Sequence, residues 1–185
     1  MKKKILQMIV EIPKGVSNKY EYNIATQSWE LDRVLAGAMF YPEEYGFISE
    51  TLDYDGDPLD VICLTNYPTF PGCCLPIKIV GVLKMIDGNE KDDKLLAVNA
   101  VDPRFHSIND LKNISANKLD EITNFFLRYK ELEKKEVKIE GWGNKKEAKE
   151  ILENCQYLYN KYQELVKKGP EKKKKLVEML NNEKE

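Results

Sequence analysis

Hydrophobic residues alternate with other positions at the start of the chain. Leu6, Met8, Val10 and Ile12 fall on every second position of residues 6–12, the period of a strand with one buried face. Residues 19–24 alternate in the same way. They place Lys19 and Glu21 on one face and Tyr20, Tyr22 and Ile24 on the other. Apolar, β-branched-rich runs at 61–64, 75–86, 95–101 and 137–142 predict four more strands. Pro42, Gly46, Pro58, Pro68, Pro71, Gly72 and Gly88 punctuate the gaps between them. Short strands at this spacing predict a closed or nearly closed barrel.

The period then changes. Leu119, Ile122, Phe126, Tyr129 and Leu132 recur at steps of three and four, which predicts a helix. A second helix opens at Asn144 as N-cap, with Glu147 three residues on in a box-like arrangement. Its stripe is Ala148, Ile151, Leu152, Cys155, Leu158, Tyr162 and Leu165, and Gly169-Pro170 is expected to stop it. Residues 171–185 are rich in lysine and read as a short helix or a frayed tail. The fold class is therefore mainly β with α. One domain is expected over 1–168, with a lysine-rich extension at 169–185.

At 185 residues the chain is long enough for one full core. Its 29 Lys+Arg and 31 Asp+Glu leave a net charge of -2, which gives no global attraction to nucleic acid or membrane. The apolar run after the N-terminal lysines is broken by Gln7 and Glu11 and has no small-residue cleavage site, so it does not read as a signal peptide. No stretch has the length of a membrane span. A cytoplasmic location is expected, with no membrane partner. Cys63, Cys73, Cys74 and Cys155 contain no CxxC pair and read as reduced structural thiols. The single histidine, His106, excludes a multi-histidine metal site and reads as a surface residue.

The densest chemistry lies in Asp55-Gly56-Asp57-Pro58-Leu59-Asp60. Three carboxylates fall within six residues, directly before an apolar run. Gly56 and Pro58 make the segment a turn or an irregular strand entry. A turn that aims several carboxylates at one point is costly unless a cation sits among them, and oxygen ligands suit Mg²⁺. A second acidic loop, 87–94, follows a long strand. The two loops would meet if both lie at the same end of the barrel. An EF-hand fails, because Pro58 and Leu64 stand where glycine and glutamate are needed. Neither a P-loop nor a dinucleotide motif is present. Lys19, Arg33, Tyr41, Tyr45, Tyr129 and Lys130 add cationic and phenolic groups. With a metal-binding cluster, these point to an anionic substrate, phosphate above all.

These residues resemble the soluble family I inorganic pyrophosphatases of the bacterial type. The 55–61 run is similar to that family's signature. Val10-Glu11-Ile12-Pro13, Lys19-Tyr20-Glu21, Asp32-Arg33, Phe40-Tyr41-Pro42, Tyr45-Gly46-Phe47, the aspartates 87 and 92, Lys94, Tyr129-Lys130 and Glu140-Gly141-Trp142 follow in order. The resemblance spans roughly residues 5 to 165. Gly88 departs from it, since many relatives carry an acidic residue there, and weaker occupancy of a peripheral metal site is implied.

The resemblance implies a five-stranded barrel of OB-like topology with two packed C-terminal helices. It also implies Mg²⁺-dependent hydrolysis of pyrophosphate, with Mn²⁺ a possible substitute. Asp55, Asp60 and Asp92 would hold the activating metals, with Asp60 bridging two. Asp87 and Asp92 would hold one that arrives with substrate, and Glu11 would assist a further one. Asp57 would be the general base. Lys19, Arg33, Tyr45, Tyr129 and Lys130 would grip the phosphates, with Glu21, Tyr41 and Lys94 supporting. A homohexamer with the helices as contact surface is implied too. The alternative is an OB-like module for single-stranded nucleic acid, supported by the barrel, the aromatics and the basic tail. The carboxylate-lined cleft argues against it, and no nucleic-acid partner is expected.

Overall fold

The computed structural model describes residues 5–23, 26–88, 90–167 and 173–183. Its strands are β1 (Gln7–Ile12), β2 (Asn18–Asn23), β3 (Ser28–Val34), β4 (Glu44–Phe47), β5 (Asp60–Leu64), β6 (Cys74–Asp87), β7 (Glu90–Lys91), β8 (Lys94–Asn99) and β9 (Val137–Asn144). Pairing runs β1-β4-β5-β8-β6 and returns from β6 to β1, so five strands close a ring, as expected of an OB-like barrel. Every pair in the ring is antiparallel except β5 with β8. Closure depends on β6, whose 14 residues serve β1 at one end and β8 and β9 further along. A register shift between Ile79 and Gly81 bends the strand between those partners.

β5 and β8 are buried on both faces, which is why they read as continuous apolar runs. Ile62, Leu64, Leu96 and Val98 join a cluster with Ile122, Phe125 and Phe126 of helix α1 (Ala116–Arg128). Val61, Cys63, Leu95 and Ala97 join another with Ala148 and Cys155 of helix α2 (Lys145–Val166). Gly46 of β4 is required by space: a Cβ there would lie 2.0 Å from the Ile9 carbonyl oxygen of β1.

The N-cap of α2 is as expected. The Asn144 side chain accepts from the backbone N–H groups of Lys146 and Glu147, and Glu147 returns the bond to Asn144 N. The tail is a helix, α3 (Lys173–Asn181), which buries Leu176 and Leu180 against Leu52, Leu158 and Tyr162. Gly169-Pro170 lies outside the described residues, as does Ile24.

Two readings are corrected, and two strands, β3 and β4, were not expected. α1 ends at Arg128 with Tyr129 as its C-cap, so Leu132 leaves the helical stripe; it sits in a 3-10 turn and is 69% exposed. The strand expected at 95–101 ends at Asn99, where the Asn99 side chain accepts from Val101 N and the chain turns. β3 has an irregular burial pattern and gave no alternation to detect. β4 begins with a glutamate and carries a glycine, yet Glu44 is buried with its carboxylate accepting from Thr69 N (2.8 Å) and Thr69 Oγ1 (3.0 Å). The four cysteines are free, and His106 is exposed, as expected.

Candidate active site

The carboxylate run forms a tight turn before β5. Asp53 N donates to Asp57 O (2.7 Å), and Gly56 N to Asp53 O (3.0 Å). Gly56 sits at φ +85, a left-handed conformation that side chains disfavour. Asp55 Oδ1 accepts from Asp57 N at 2.9 Å, which fixes the loop's two leading carboxylates relative to each other. Asp60, three residues later, opens β5 and points into the same space.

That space is a cavity of about 540 Å³. Glu11 of β1, Lys19 and Glu21 of β2, Arg33 of β3, Tyr41, Tyr45 of β4, Asp55, Asp57, Asp60, Asp87 at the end of β6, Asp92, Lys94 of β8, Tyr129 and Lys130 all line it. The two acidic loops do meet, because β6 carries its own loop round to the end of the barrel where β5 starts. Asp87 and Asp92 face the cavity. Glu90 and Lys91 do not line it, and Asp93 turns away, paired with Lys91 at 3.0 Å. Asn89 is outside the described residues. A Cβ on Gly88 would meet nothing within 4 Å, so space does not forbid a side chain there.

Lysines stand between the carboxylates. Lys94, 2% exposed, donates to Asp60 Oδ2 and Asp92 Oδ1, both at 2.8 Å. Tyr45 donates to the same Asp60 oxygen. Lys130 pairs with Asp87, to which the Tyr129 hydroxyl also points at 3.4 Å. Lys19 pairs with Glu21 and lies 3.3 Å from Asp32, which also holds Arg33 at 3.0 Å. Beneath these groups lies a wall of aromatic rings. Tyr41 packs on Phe125 (4.8 Å between centroids), Tyr45 on Phe126 (6.0 Å) and Phe126 on Tyr129 (5.5 Å).

Burial among like charges sets the electrostatics. Desolvation, then the nearby Asp60 carboxylate, pushes Glu11 up to about 8. Desolvation and Asp57 push Asp55 up to about 7, and desolvation lifts Asp53 to about 6. Burial works against the charge on Lys94, but Asp60, Tyr45, Asp92 and Tyr129 together outweigh it and hold the ammonium well above its ordinary range. Desolvation raises the phenols of Tyr41, Tyr45 and Tyr129, so they are hydrogen-bond donors at neutral pH. The cavity is therefore short of positive charge. As the side chains stand, no three of the described acidic, histidine or cysteine residues converge closely enough to hold an ion. The donor set still suits a hard divalent cation: oxygen ligands only, several of them disfavoured as free anions, with lysines able to give way.

The family description "Inorganic pyrophosphatase" matches residues 8–160. The chain belongs to the inorganic pyrophosphatase family. It is 47% identical over 152 residues to an inorganic pyrophosphatase of Halalkalibacterium halodurans, covering 82% of this chain and 93% of that protein. An inorganic pyrophosphatase of Ureaplasma parvum is 46% identical over 162 residues, 88% of this chain and 90% of the relative. Among solved structures, that of the Thermus thermophilus inorganic pyrophosphatase superposes with a TM-score of 0.82 at 41% identity, covering 86% of this chain and 93% of the other. The pyrophosphatase match ends before α3, and that helix supplies the site residue that the sequence did not reveal. Lys173 lines the cavity, and its ammonium donates to both oxygens of Asp57 at 2.6 Å. A lysine in a lysine-rich run carries no sequence signal for such a role.

Proposed function

We propose that this chain hydrolyses inorganic pyrophosphate to two orthophosphates with Mg²⁺ as the working cation. The observation that carries this is that Glu11, Asp55, Asp57, Asp60, Asp87 and Asp92 line one cavity with Lys19, Arg33, Lys94 and Lys130. Asp55, Asp60, Asp87, Asp92 and Glu11 would hold the metals. Bound there, Mg²⁺ supplies Lewis-acid chemistry, lowering the pKa of an attacking water and neutralising phosphoryl charge. Asp57, on the exposed lip of the turn, would serve as general base, since its backbone is pinned while its carboxylate faces the cavity.

Lys19, Arg33 and Lys130 line the same cavity and would take the phosphate oxygens, together with the phenolic donors Tyr45 and Tyr129. Lys94 pairs with Asp60 and Asp92 and aims both, and Glu21 holds Lys19 in place. Tyr41 braces the aromatic floor. The cavity lining holds no histidine, and a cation bound there would neutralise the leaving phosphate in place of a strong general acid. Mn²⁺ would substitute for Mg²⁺, a homohexamer is the expected assembly, and the cytoplasm the expected location. No helix among the described residues is long and apolar enough to cross a membrane.

The test is orthophosphate release from pyrophosphate by the purified protein, with Mg²⁺ and with chelator, beside Asp57→Asn. Mg²⁺-dependent release that is nearly abolished in the variant, with the fold intact, is expected. Normal turnover in Asp57→Asn removes Asp57 from the base role. No release from folded, Mg²⁺-supplied protein overturns the proposal.

A further inference from the structure

The C-terminal helix α3 is built onto the signature turn rather than left beside it. Leu176 (2% exposed) and Leu180 (0% exposed) fix its inner face in a cluster with Leu52, Leu158 and Tyr162. Glu183, just past its end, accepts from Lys161 Nζ at 2.7 Å and from the Tyr162 hydroxyl at 2.8 Å, which ties the far end to α2. At the near end the helix lies against Gly56. A Cβ there would meet Val177 Cγ2 at 3.1 Å and the Lys173 stem at 3.3 and 3.4 Å. Lys173 thus approaches over a glycine that leaves room for it, and its ammonium spans both oxygens of Asp57.

The other lysines of the cavity show the same pattern. Lys94 occupies Asp60 and Asp92, and Lys130 occupies Asp87. These ammonium groups stand where the carboxylates require positive charge. Lys94 and Lys130 belong to the region that matches the family, whereas Lys173 comes from beyond residue 160, where that match ends.

We propose that Lys173 is an additional positioning residue of this site, a tethered cation that holds Asp57 two residues from the carboxylate of Asp55 and whose charge opposes the entry of Mg²⁺. The inference rests on the reading of the cavity as a Mg²⁺ pyrophosphatase site. Its consequence is a threshold. An ammonium fixed beside the acidic turn repels an incoming cation, so it weakens metal binding there. Lys173 and Asp57 are both about half exposed, at 44% and 56% of their side chains. The pair is then worth no more than an ordinary surface bridge, a factor of about two to five in apparent Mg²⁺ affinity.

The experiment is Mg²⁺ titration of the substrate-free full-length protein, read by calorimetry. It compares wild type, Lys173→Met, Lys173→Arg and Lys174→Met. Methionine keeps the stem that packs near Gly56 and removes the charge. Arginine keeps the charge. Lys174 is exposed on the same helix and reports any general loss of positive charge. The expected result is that Lys173→Met binds Mg²⁺ about two- to fivefold more tightly, while Lys173→Arg and Lys174→Met stay at the wild-type value. Unchanged or weaker binding by Lys173→Met overturns the proposal. So does an equal shift in Lys173→Met and Lys173→Arg, because the cause would then be packing and not charge. Wild-type protein that hydrolyses pyrophosphate with Mg²⁺ yet shows no difference for Lys173→Met rejects the tethered cation alone. Wild-type protein that neither binds Mg²⁺ nor hydrolyses pyrophosphate rejects the functional reading, and the tethered cation with it.

Discussion

Replacing Lys94 with methionine in metal-free protein would expose how much of this fold's stability is stored in its own active site. Lys94 is 2% exposed and is shared between Asp60 and Asp92 at 2.8 Å each. Its ammonium also lies 5.4 Å from the Tyr45 ring and 5.7 Å from the Phe126 ring. Methionine matches the stem in length and removes only the charge. Two partly buried carboxylates are then left facing each other with the Tyr45 hydroxyl as remaining donor. Removing one partner of a buried pair costs about 3–5 kcal/mol. Proton uptake by the orphaned carboxylates limits that cost, which places the expected loss near the lower figure, about 3 kcal/mol at neutral pH. For a chain of this size each kcal/mol moves Tm by about 2–4 °C, so a fall of about 6–12 °C is expected. The assay is scanning calorimetry of wild type and Lys94→Met at equal protein concentration, in chelator and again in Mg²⁺. The gap should be widest in chelator, since an added cation serves the same carboxylates. A Tm within about 2 °C of wild type in chelator would refute the reasoning, for it would mean that the carboxylates never needed Lys94.

Three further outcomes follow from the packing. Gly46→Ala should cost at least about 3 kcal/mol, because the new methyl meets backbone atoms of β1 that cannot rotate aside; urea denaturation at unchanged slope measures it. Leu180→Ala should release α3 while the barrel stays folded, because a fully buried leucine is worth about 2–5 kcal/mol, more than a nine-residue peripheral helix can spare. Limited proteolysis should then remove the C-terminal segment faster than from wild type, and an unchanged rate would show that the helix is held by other contacts. Acid should loosen the same helix. Lys161, then Tyr162, hold the Glu183 carboxyl below its ordinary value of 4.5, so the stabilisation is complete above that pH and fades as pH falls beneath it. Methyl resonances of Leu176 and Leu180 should report the loosening in the acid range and be removed from that dependence by Glu183→Gln.

Local pattern determined much of this protein. The alternation of Met8, Val10 and Ile12 located β1, because all three are fully buried on one face. The Asn144–Glu147 box located the start of α2, because capping is satisfied within four residues. The candidate site was legible as well, since a carboxylate-rich turn broken by Gly56 and Pro58 has few structural uses, and the family resemblance supplied the other candidates, which line the same cavity.

Contacts between distant segments decided the rest. β4 carries Glu44 and Gly46, which no strand pattern favours. It is a strand because Thr69 satisfies the glutamate and because β1 passes too close for any side chain at the glycine. The separate acidic loops at 55–60 and 87–92 share one cavity only because the ring closes from β6 back to β1. Lys173, 116 residues from Asp57 along the chain, looked like one more solvated lysine. Its charge is local, but its partner is set by how Leu176 and Leu180 seat a helix against α2, and a long-range packing choice of that kind leaves no periodic trace in the sequence around it.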